Sequence, residues 1–330
     1  MAEGELHMTE LSLKFANISI IIPTRNRPAD LKRLLDSIMA QTVLPNEIII
    51  IDDSSGVETK DLVESVKEEF LSKGVLVKYL RGGEKGVAQK RNIGAYHSTG
   101  DVCFFIDDDI ILDKKYVEKI LEVYEKCPNA LGVAGHIISQ KPPSKLSNIV
   151  RRVLLEFHCS YNSAKVRPIG ISYPYPLTRV INCEWLNAGT VSYKRIVFKE
   201  FRWDEALITY SISEDKDLSY RIYKRYPNSL FMTPYAKAFH AKSKAGRFSN
   251  KYVTYMGVAH TVYVFYKNFK QTLRNVLSFY YGLFIGHLVH QILSRDPFKV
   301  IHQIGAYFCL FKNFKEIRNG NFTFLDKIAN

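Results

Sequence analysis

The chain has 330 residues, 46% of them hydrophobic and 24% charged, a balance that suits one large α/β domain, with or without an appendage, and excludes a largely disordered polymer. Its five cysteines are scattered without a CxxC pair, which argues against a zinc knuckle or a disulfide framework and for a reducing compartment. The formal net charge of +13 points to polyanionic partners: nucleic acid, phosphorylated small molecules or an anionic membrane.

Residues 1–16 lack the basic flank and apolar stretch of a secretion signal and read as a loose tail. From there strands and helices alternate: "NISIIIP" (17–23), a helical pattern over 30–40, "EIIIID" (47–52), a helix over 57–71, "VLVKYL" (75–80), a helix over 87–97, "DVCFFID" (101–107) and a helix over 114–126. Nearly all-apolar strands joined by crossover helices predict a doubly wound, mostly parallel α/β sheet of the Rossmann-like kind, covered on both faces. Residues 140–180, with "KPPSK" and "YPYP", show no periodicity and read as a long irregular segment crossing the surface near the site. "NCEWLNAGTVSYKR" (182–195) reads as a strand turning into a short helix, "SEDKDLSYRIYKRY" (213–226) as a helix, and "SLFMTPYAKAFH" (229–240) as a returning strand.

The core domain is expected over 17–250, and 251–330 differs from it. This last region carries ten basic side chains against three acids, interleaved with aromatics and aliphatics, a pattern that favours a membrane surface over nucleic acid. Residues 275–294 contain no Lys, Arg, Asp or Glu and are long enough to span a bilayer. His287, His290, Gln291 and two glycines make a span costly. Interfacial helices are therefore the preferred reading, ahead of a single span and of a buried helix pair. "VIHQIGAYFCLF" (300–311) is too short to span and reads as a second interfacial element.

In doubly wound sheets ligands bind beyond the carboxyl ends of the strands, where "PTRNRP", "DDSSG" and "DDD" all fall. Asp107, Asp108 and Asp109 follow an apolar run directly, and such carboxylates tolerate one another when a divalent cation neutralises them. Hard oxygen ligands select Mg²⁺ or Mn²⁺, which share their coordination with a bound diphosphate. A solvated acidic turn is the plain alternative. Pro23, Thr24 and Arg25 end one strand and Asp52 and Asp53 the next, so a heterocycle and a ribose could sit between them, with Asp53 accepting a hydrogen bond. A helix-capping turn explains Asp52 to Ser55 equally. No GxGxxG or GxxxxGK[ST] loop is present, so a diphosphate would be neutralised by metal and basic side chains.

The series "SIIIPTRNRP", "QTVLPNEIIIIDDSS", "GVAQKRNIGAYHSTGDVCFFIDDDIIL", "NAGTVSYKR", "SEDKDLSYRI" and "AFH" resembles the family 2 glycosyltransferases with the GT-A fold, in order and spacing, over about 17–245. The resemblance implies an inverting enzyme that uses a divalent metal to move a sugar from a nucleotide diphosphate donor to an acceptor hydroxyl. It implies that Pro23, Thr24, Arg25 and Asp53 line the nucleoside pocket and that Arg91 lies near ribose or diphosphate. It further implies Asp109 as direct metal ligand, Asp107 as direct or water-bridged ligand, Asp108 nearer the ribose, and His240 as third ligand, with the register of the aspartates ambiguous by one.

Inversion is a single displacement, so one carboxylate must accept the acceptor's proton. The family position points to Asp215, with Glu214 an acceptor contact or a cap. Ser211 and Glu214 also fit a capping box, and Asp217 with Arg221 an ordinary i,i+4 pair. Trp185 offers either an apolar floor for the acceptor or a core side chain. Lys242, Lys244 and Arg247 form a basic loop, either closing over a diphosphate or solvated.

Two other classes compete. A sugar-1-phosphate nucleotidyltransferase would want a glycine-rich loop after the first strand, which "PTRNRPADLK" does not offer. A non-catalytic, membrane-associated nucleotide-sugar-binding scaffold would explain the basic aromatic tail but not the carboxylates at strand ends. The expectation is a metal-dependent glycosyltransferase, peripheral on the cytoplasmic face of the membrane, acting on a lipid-linked or polysaccharide acceptor, with no nucleic acid partner.

Overall fold

The computed structural model describes residues 17–83, 86–138, 142, 144–154, 158–243, 248–293 and 296–329. The expected tail over 1–16, and Lys244 and Arg247 of the basic loop, lie outside the described residues.

The central sheet forms because its strands are apolar on both faces. In β1 (Ile18–Thr24) and β2 (Glu47–Asp52), Ile18, Ile20, Ile22, Ile48 and Ile50 enter one core layer, while Ile21, Ile49 and Ile51 enter the other, the two-residue period of a pleated strand buried twice over. β3 (Leu76–Arg81) and β4 (Val102–Ile106) flank this pair in parallel. Past β4, β10 (Thr190–Lys194) runs antiparallel between β4 and β6 (Gly132–Ile137). β11 (Leu230–His240) continues parallel to β6, and β5 (Ile110–Leu112) closes that edge antiparallel to β11. With β9 (Ile181–Asn182) on β11, the result is a nine-stranded, mostly parallel sheet ordered β3-β2-β1-β4-β10-β6-β11-β5.

α1 (Pro28–Met39), α2 (Glu58–Ser72) and α4 (Tyr116–Lys126) bury their apolar stripes on one face. α3 (Val87–His97) covers part of the other, so close that a Cβ on its Gly94 would stand 2.3 Å from Ile21 Cγ2. The segment read as irregular holds α5 (Lys145–Val153) and a two-stranded pair, β7 (His158–Ser160) with β8 (Ser172–Pro174). These elements are short, and prolines mask their periodicity. α6 (Glu214–Arg225) begins as expected, but after a loop in which Thr209, Ser211 and Ser213 have φ of 55°, 49° and 71°.

The C-terminal region is helical: α7 (Asn250–Asn268), α8 (Leu273–Tyr280), a π-helical turn over Tyr281–Gly286, α9 (His287–Leu293), α10 (Pro297–Lys312), α11 (Phe314–Arg318) and α12 (Asp326–Ala329). α8, the turn and α9 run as one 21-residue helix, apolar and long enough to cross a membrane and mostly unburied. α7 is instead a core helix. It centres a third apolar cluster with Phe279, Leu283, Ala306 and Leu310, and its far end is pinned to α6 and to the segment leading into it. Tyr263 Oη donates to Asp204 (2.7 Å), Asn268 Nδ2 donates to Asp217 (2.7 Å), and Lys267 pairs with Asp217 (3.0 Å). α7, which opens the C-terminal region, thus packs both on that region's helices and on α6 with the segment before it.

His260, within α7, is fully buried against Phe322 and the backbone of Ile212. Burial holds its imidazole down at about 3, so it is neutral in the fold and takes up a proton near 6.5 only on unfolding. This penalty is absent above pH 6.5 and grows as pH falls toward 3, at up to about 1.4 kcal/mol per pH unit. In urea unfolding at pH 7 and pH 5, His260→Leu should therefore gain stability relative to the unmodified chain at the lower pH. An unchanged gap would show that His260 is not buried neutral.

Candidate active site

β1, β2 and β4 end side by side, so Thr24, Asp53 and Asp107–Asp109 converge by parallel pairing alone. The register His240↔Ile110 between β11 and β5 then brings a side chain 131 residues distant to the same point. His240 Nε2 stands 3.1 Å from Asp109, which also accepts from the Ser243 amide at 3.2 Å. Burial alone would raise the Asp109 carboxyl, but these contacts and Arg27 hold it below the usual range. The same hydrogen bond raises the His240 imidazole.

The other two aspartates have their own partners. Asp108 accepts from Thr24 Oγ1 at 2.8 Å and from Arg27 Nη1 at 3.1 Å. Burial nevertheless pushes its carboxyl up to about 7, with Asp109 and Asp107 adding to the rise. Asp107 pairs with Arg91 Nη2 at 2.6 Å. Arg91 is buried over the Trp203 ring and pairs through Nη1 with Glu214. Burial, together with Asp215 and Asp107, raises the Glu214 carboxyl even with Arg91 against it, and burial also raises that of Asp215. Asp53 pairs with buried Lys90 at 2.7 Å.

A cavity of about 460 Å³ opens above these groups, within the range of small-molecule sites. Its lining takes in Pro23, Arg25 and Lys90 from the parallel half, His240 from β11, and Phe248 and Val253 from the start of α7. The Arg25 guanidinium lies 5.6 Å from the centre of the Phe248 ring. Gly86 (φ 114°) lets the start of α3 touch the strained loop: a Cβ there would lie 2.4 Å from Thr209 N.

A protein-family model described as Glycosyl transferase family 2 matches residues 19–189, more than half of the chain. The chain belongs to this family. Among curated relatives, it is 40% identical over 112 residues to an uncharacterized glycosyltransferase of Haemophilus influenzae (34% of this chain, 36% of that one). It is 28% identical over 123 residues to a glucosyl-dolichyl phosphate glucuronosyltransferase of Haloferax volcanii (37% and 38%). Against the O-antigen chain rhamnosyltransferase RfbN of Salmonella typhimurium it is 26% identical over 184 residues (56% and 54%). The chain thus spans little more than a third of the first two relatives and about half of the third. Among solved structures, GalNAc-T7 with UDP, GalNAc and Mn²⁺ superposes with a TM-score of 0.58 at 18% identity, over 76% of this chain and 47% of that one. The mannosyltransferase PcManGT of Pyrobaculum calidifontis, with GDP-Man and Mn²⁺, gives 0.56 at 15% over 90% and 75%. These likenesses carry the fold, a GT-A arrangement of a mostly parallel sheet.

Ten of the twelve residues expected at the site line the cavity together: Pro23, Thr24, Arg25, Asp53, Arg91, Asp107, Asp108, Asp109, Glu214 and His240. Asp215 does not line it; it sits half-buried in the first turn of α6 beside Glu214, one carboxylate oxygen accepting from the Lys216 amide. Trp185 is a core side chain, 2% exposed, with its indole donating to Ser172 O, so it offers no floor to an acceptor. Neither capping alternative forms. Ser211 Oγ donates to Leu207 O and accepts from the Ala88 amide, leaving Glu214 to Arg91. Asp52 is buried, accepting from Ser54 N and Tyr79 Oη, and α2 starts without a side-chain cap. Asp217 and Arg221 do pair, at 2.8 Å. Lys242 is exposed.

Arg27, Lys90, Tyr210 and Phe248 went unforeseen. Charge balance could have found the first two, since five acids converging on one cavity require several cations nearby. Phe248 and Tyr210 leave no such signal, because they arrive from a strained loop and a distant helix start.

Removing Arg91 strands the buried Glu214 carboxylate and takes its cation from the half-exposed Asp107, and breaking a buried pair such as Arg91 with Glu214 costs about 3–5 kcal/mol. Arg91→Gln should lose stability of that order in urea unfolding, and adding Glu214→Gln should restore a large part. Additive losses would mean that the pair is not coupled.

Proposed function

We propose that the chain transfers a sugar from a nucleotide diphosphate donor to an acceptor hydroxyl with inversion at the anomeric carbon. The observation that carries this reading is the convergence of Asp53 with Lys90, the aspartate triplet and His240 in one cavity at the strand ends. Asp53, Pro23 and Arg25 would hold the nucleoside, and Lys90, Arg25 and Arg27 would face the diphosphate with positive charge.

The donor set suits a divalent cation of the Mg²⁺ or Mn²⁺ type in a sparse site. Asp109 and His240 are adjacent and Asp107 faces the same cavity, but among the described residues no three such groups stand together as a ready-made cluster. Asp109 and His240 would hold the ion, with Asp107 direct or through water, and the donor's oxygens would complete the shell. When bound, the ion supplies charge that stabilises the departing diphosphate.

The proton is the work of α6. Asp215 is the reading for the base: burial raises its proton affinity, which favours acceptance from an attacking hydroxyl as long as the group stays ionised. Glu214, fixed by Arg91, lines the cavity and would contact the substrate rather than exchange protons. The relatives named for dolichyl phosphate and O-antigen chain substrates favour a lipid-linked or polysaccharide acceptor.

A lipid-linked acceptor agrees with the C-terminal helices. Leu277 and Ile285 of the 273–293 helix, and Phe298, Ile301, Phe308 and Phe311 of α10, are all exposed, the kind of exposed apolar surface that marks a membrane or partner contact. Neither helix carries an acid over residues 273–293 and 297–312, while Arg274, Lys299 and Lys312 are basic. We read this hairpin as lying on an anionic, cytoplasmic-side membrane surface.

Asp215→Asn should abolish transfer while nucleotide still binds, and Asp109→Asn should weaken metal-dependent binding at least tenfold. Thermal shift with UDP-, GDP- and dTDP-sugars, with and without Mn²⁺, reads the binding half of this comparison. Normal transfer by Asp215→Asn would remove the base assignment. No shift with any nucleotide sugar would remove the donor reading.

A further inference from the structure

α5 is built inside out. No residue of this nine-residue helix is buried, yet Leu146, Ile149 and Val153 are 72%, 60% and 61% exposed. At 100° per residue these three and Val150 form one stripe, with Lys145 and Arg152 on one flank and Arg151 toward the opposite face. The helix is held to the protein by its polar side: Asn148 Nδ2 donates to Cys159 O (2.9 Å), and Asn148 Oδ1 accepts from Cys159 N (2.6 Å). A soluble surface helix does the reverse, turning its apolar stripe inward.

The end of α5 lies against the 273–293 helix. Leu154, which ends α5, is buried against the 273–293 helix, where a Cβ on Gly286 would stand 2.4 Å from Leu154 O. One turn earlier a Cβ on Gly282 would stand 2.5 Å from Ile169 Cγ2. Two glycines four residues apart thus seat the apolar helix directly on the segment that carries α5.

We propose that α5 is a second membrane-inserting element, which places its apolar stripe among the acyl chains of an anionic bilayer beside the C-terminal hairpin. Charge decides the occupant. α5 has three cations and no acid, and the hairpin helices add Arg274, Lys299 and Lys312 against one acid, Asp296 at the cap of α10, which pairs with Lys299. Such a face attracts anionic headgroups and repels a second copy of itself. The basic side chains flanking the stripe are long enough to reach the headgroups while the stripe inserts. The inference rests on the membrane reading of the hairpin and extends it toward the catalytic helix, because the same segment supplies Pro168 O, 3.4 Å from Lys216 Nζ in the first turn of α6.

The test is co-sedimentation of the full chain with vesicles of phosphatidylglycerol and phosphatidylcholine, against phosphatidylcholine alone. A triple α5 variant (Leu146→Glu, Ile149→Glu, Val153→Glu) is compared with a hairpin variant (Leu277→Glu, Phe308→Glu). All five positions are exposed, so the melting temperatures should stay close to that of the unmodified chain. The proposal expects each variant to bind anionic vesicles at least tenfold more weakly. Wild-type binding by the α5 variant with loss in the hairpin variant overturns the α5 proposal and leaves hairpin docking standing. Unchanged binding in both overturns the two together. A dimer in lipid-free buffer that the α5 variant turns into a monomer, with vesicle binding intact, also overturns it, by making this face a self-interface. Should the triple variant fail to fold, Ile149→Trp replaces it. Its emission should shift to the blue on anionic vesicles and be quenched by brominated lipid, and an unmoved spectrum counts against insertion.

Discussion

Three consecutive carboxylates at the end of a buried strand are the constraint around which this molecule is built. Like charges so close in a poorly solvated place cost several kcal/mol unless each meets a partner. Here each has a different one, from a different element: Arg91 of α3 for Asp107, Thr24 and Arg27 at the end of β1 for Asp108, and His240 of β11 for Asp109. The triplet therefore clamps the parallel half of the sheet to its antiparallel edge. It also explains why β5, only three residues long, matters: without its register on β11, His240 would not reach Asp109. The protein's own cations already neutralise the aspartates, so a divalent ion would have to compete with Arg27 and Arg91. That competition favours an ion that arrives with a diphosphate, whose negative charge the displaced cations could meet.

Much of this was legible in the sequence, for physical reasons. The parallel strands announce themselves because both faces are buried, which leaves runs such as Ile48 to Ile51 with no polar residue. Motifs at the ends of parallel strands must converge, so the placement of Thr24, Asp53 and Asp107–Asp109 followed from topology alone. His240 was reached by resemblance, and its 131-residue separation from Asp109 has no local signature. β6 was not anticipated, because Gly132 and Gly135 dilute its apolar run and β10 borders it on one side. Trp185 shows the opposite limit: a large aromatic after a strand looks the same in sequence whether it floors a pocket or fills a core. α5 escaped notice because a nine-residue helix with an outward apolar stripe among prolines offers neither the length nor the expected neighbours.

The capping alternatives failed for a common reason. Ser211, Glu214, Asp52 and Ser54 all fit local capping rules, yet each is engaged by a partner distant in sequence or by its own turn. Instead α6 starts from Ser213 in the left-handed region, after Thr209 and Ser211 at positive φ. Each such residue costs about 1–3 kcal/mol and persists only where its surroundings over-determine it. The surroundings are identifiable: Gly86 and Val87 of the α3 start on one side, Tyr252 and Met256 of α7 on the other. The strain falls immediately before Glu214 and Asp215, where two adjacent carboxylates, one buried and one half-buried, must be aimed differently.

α7 connects these observations. It begins at the cavity, where Phe248 and Val253 form part of the wall, passes the strained loop at Tyr252, Met256 and His260, and ends with Asn268 on Asp217 of α6. The 273–293 helix and α10 pack on its other side through Phe265, Phe279, Leu283 and Ala306. The membrane surface proposed for the hairpin would thereby orient α6 and the cavity wall through the packing of α7. For the proposed lipid-linked acceptor, confined to two dimensions, such packing is an advantage. A hydroxyl delivered at fixed height needs a base at fixed height, and a few ångströms of play would cost more in lost alignment than flexibility returns.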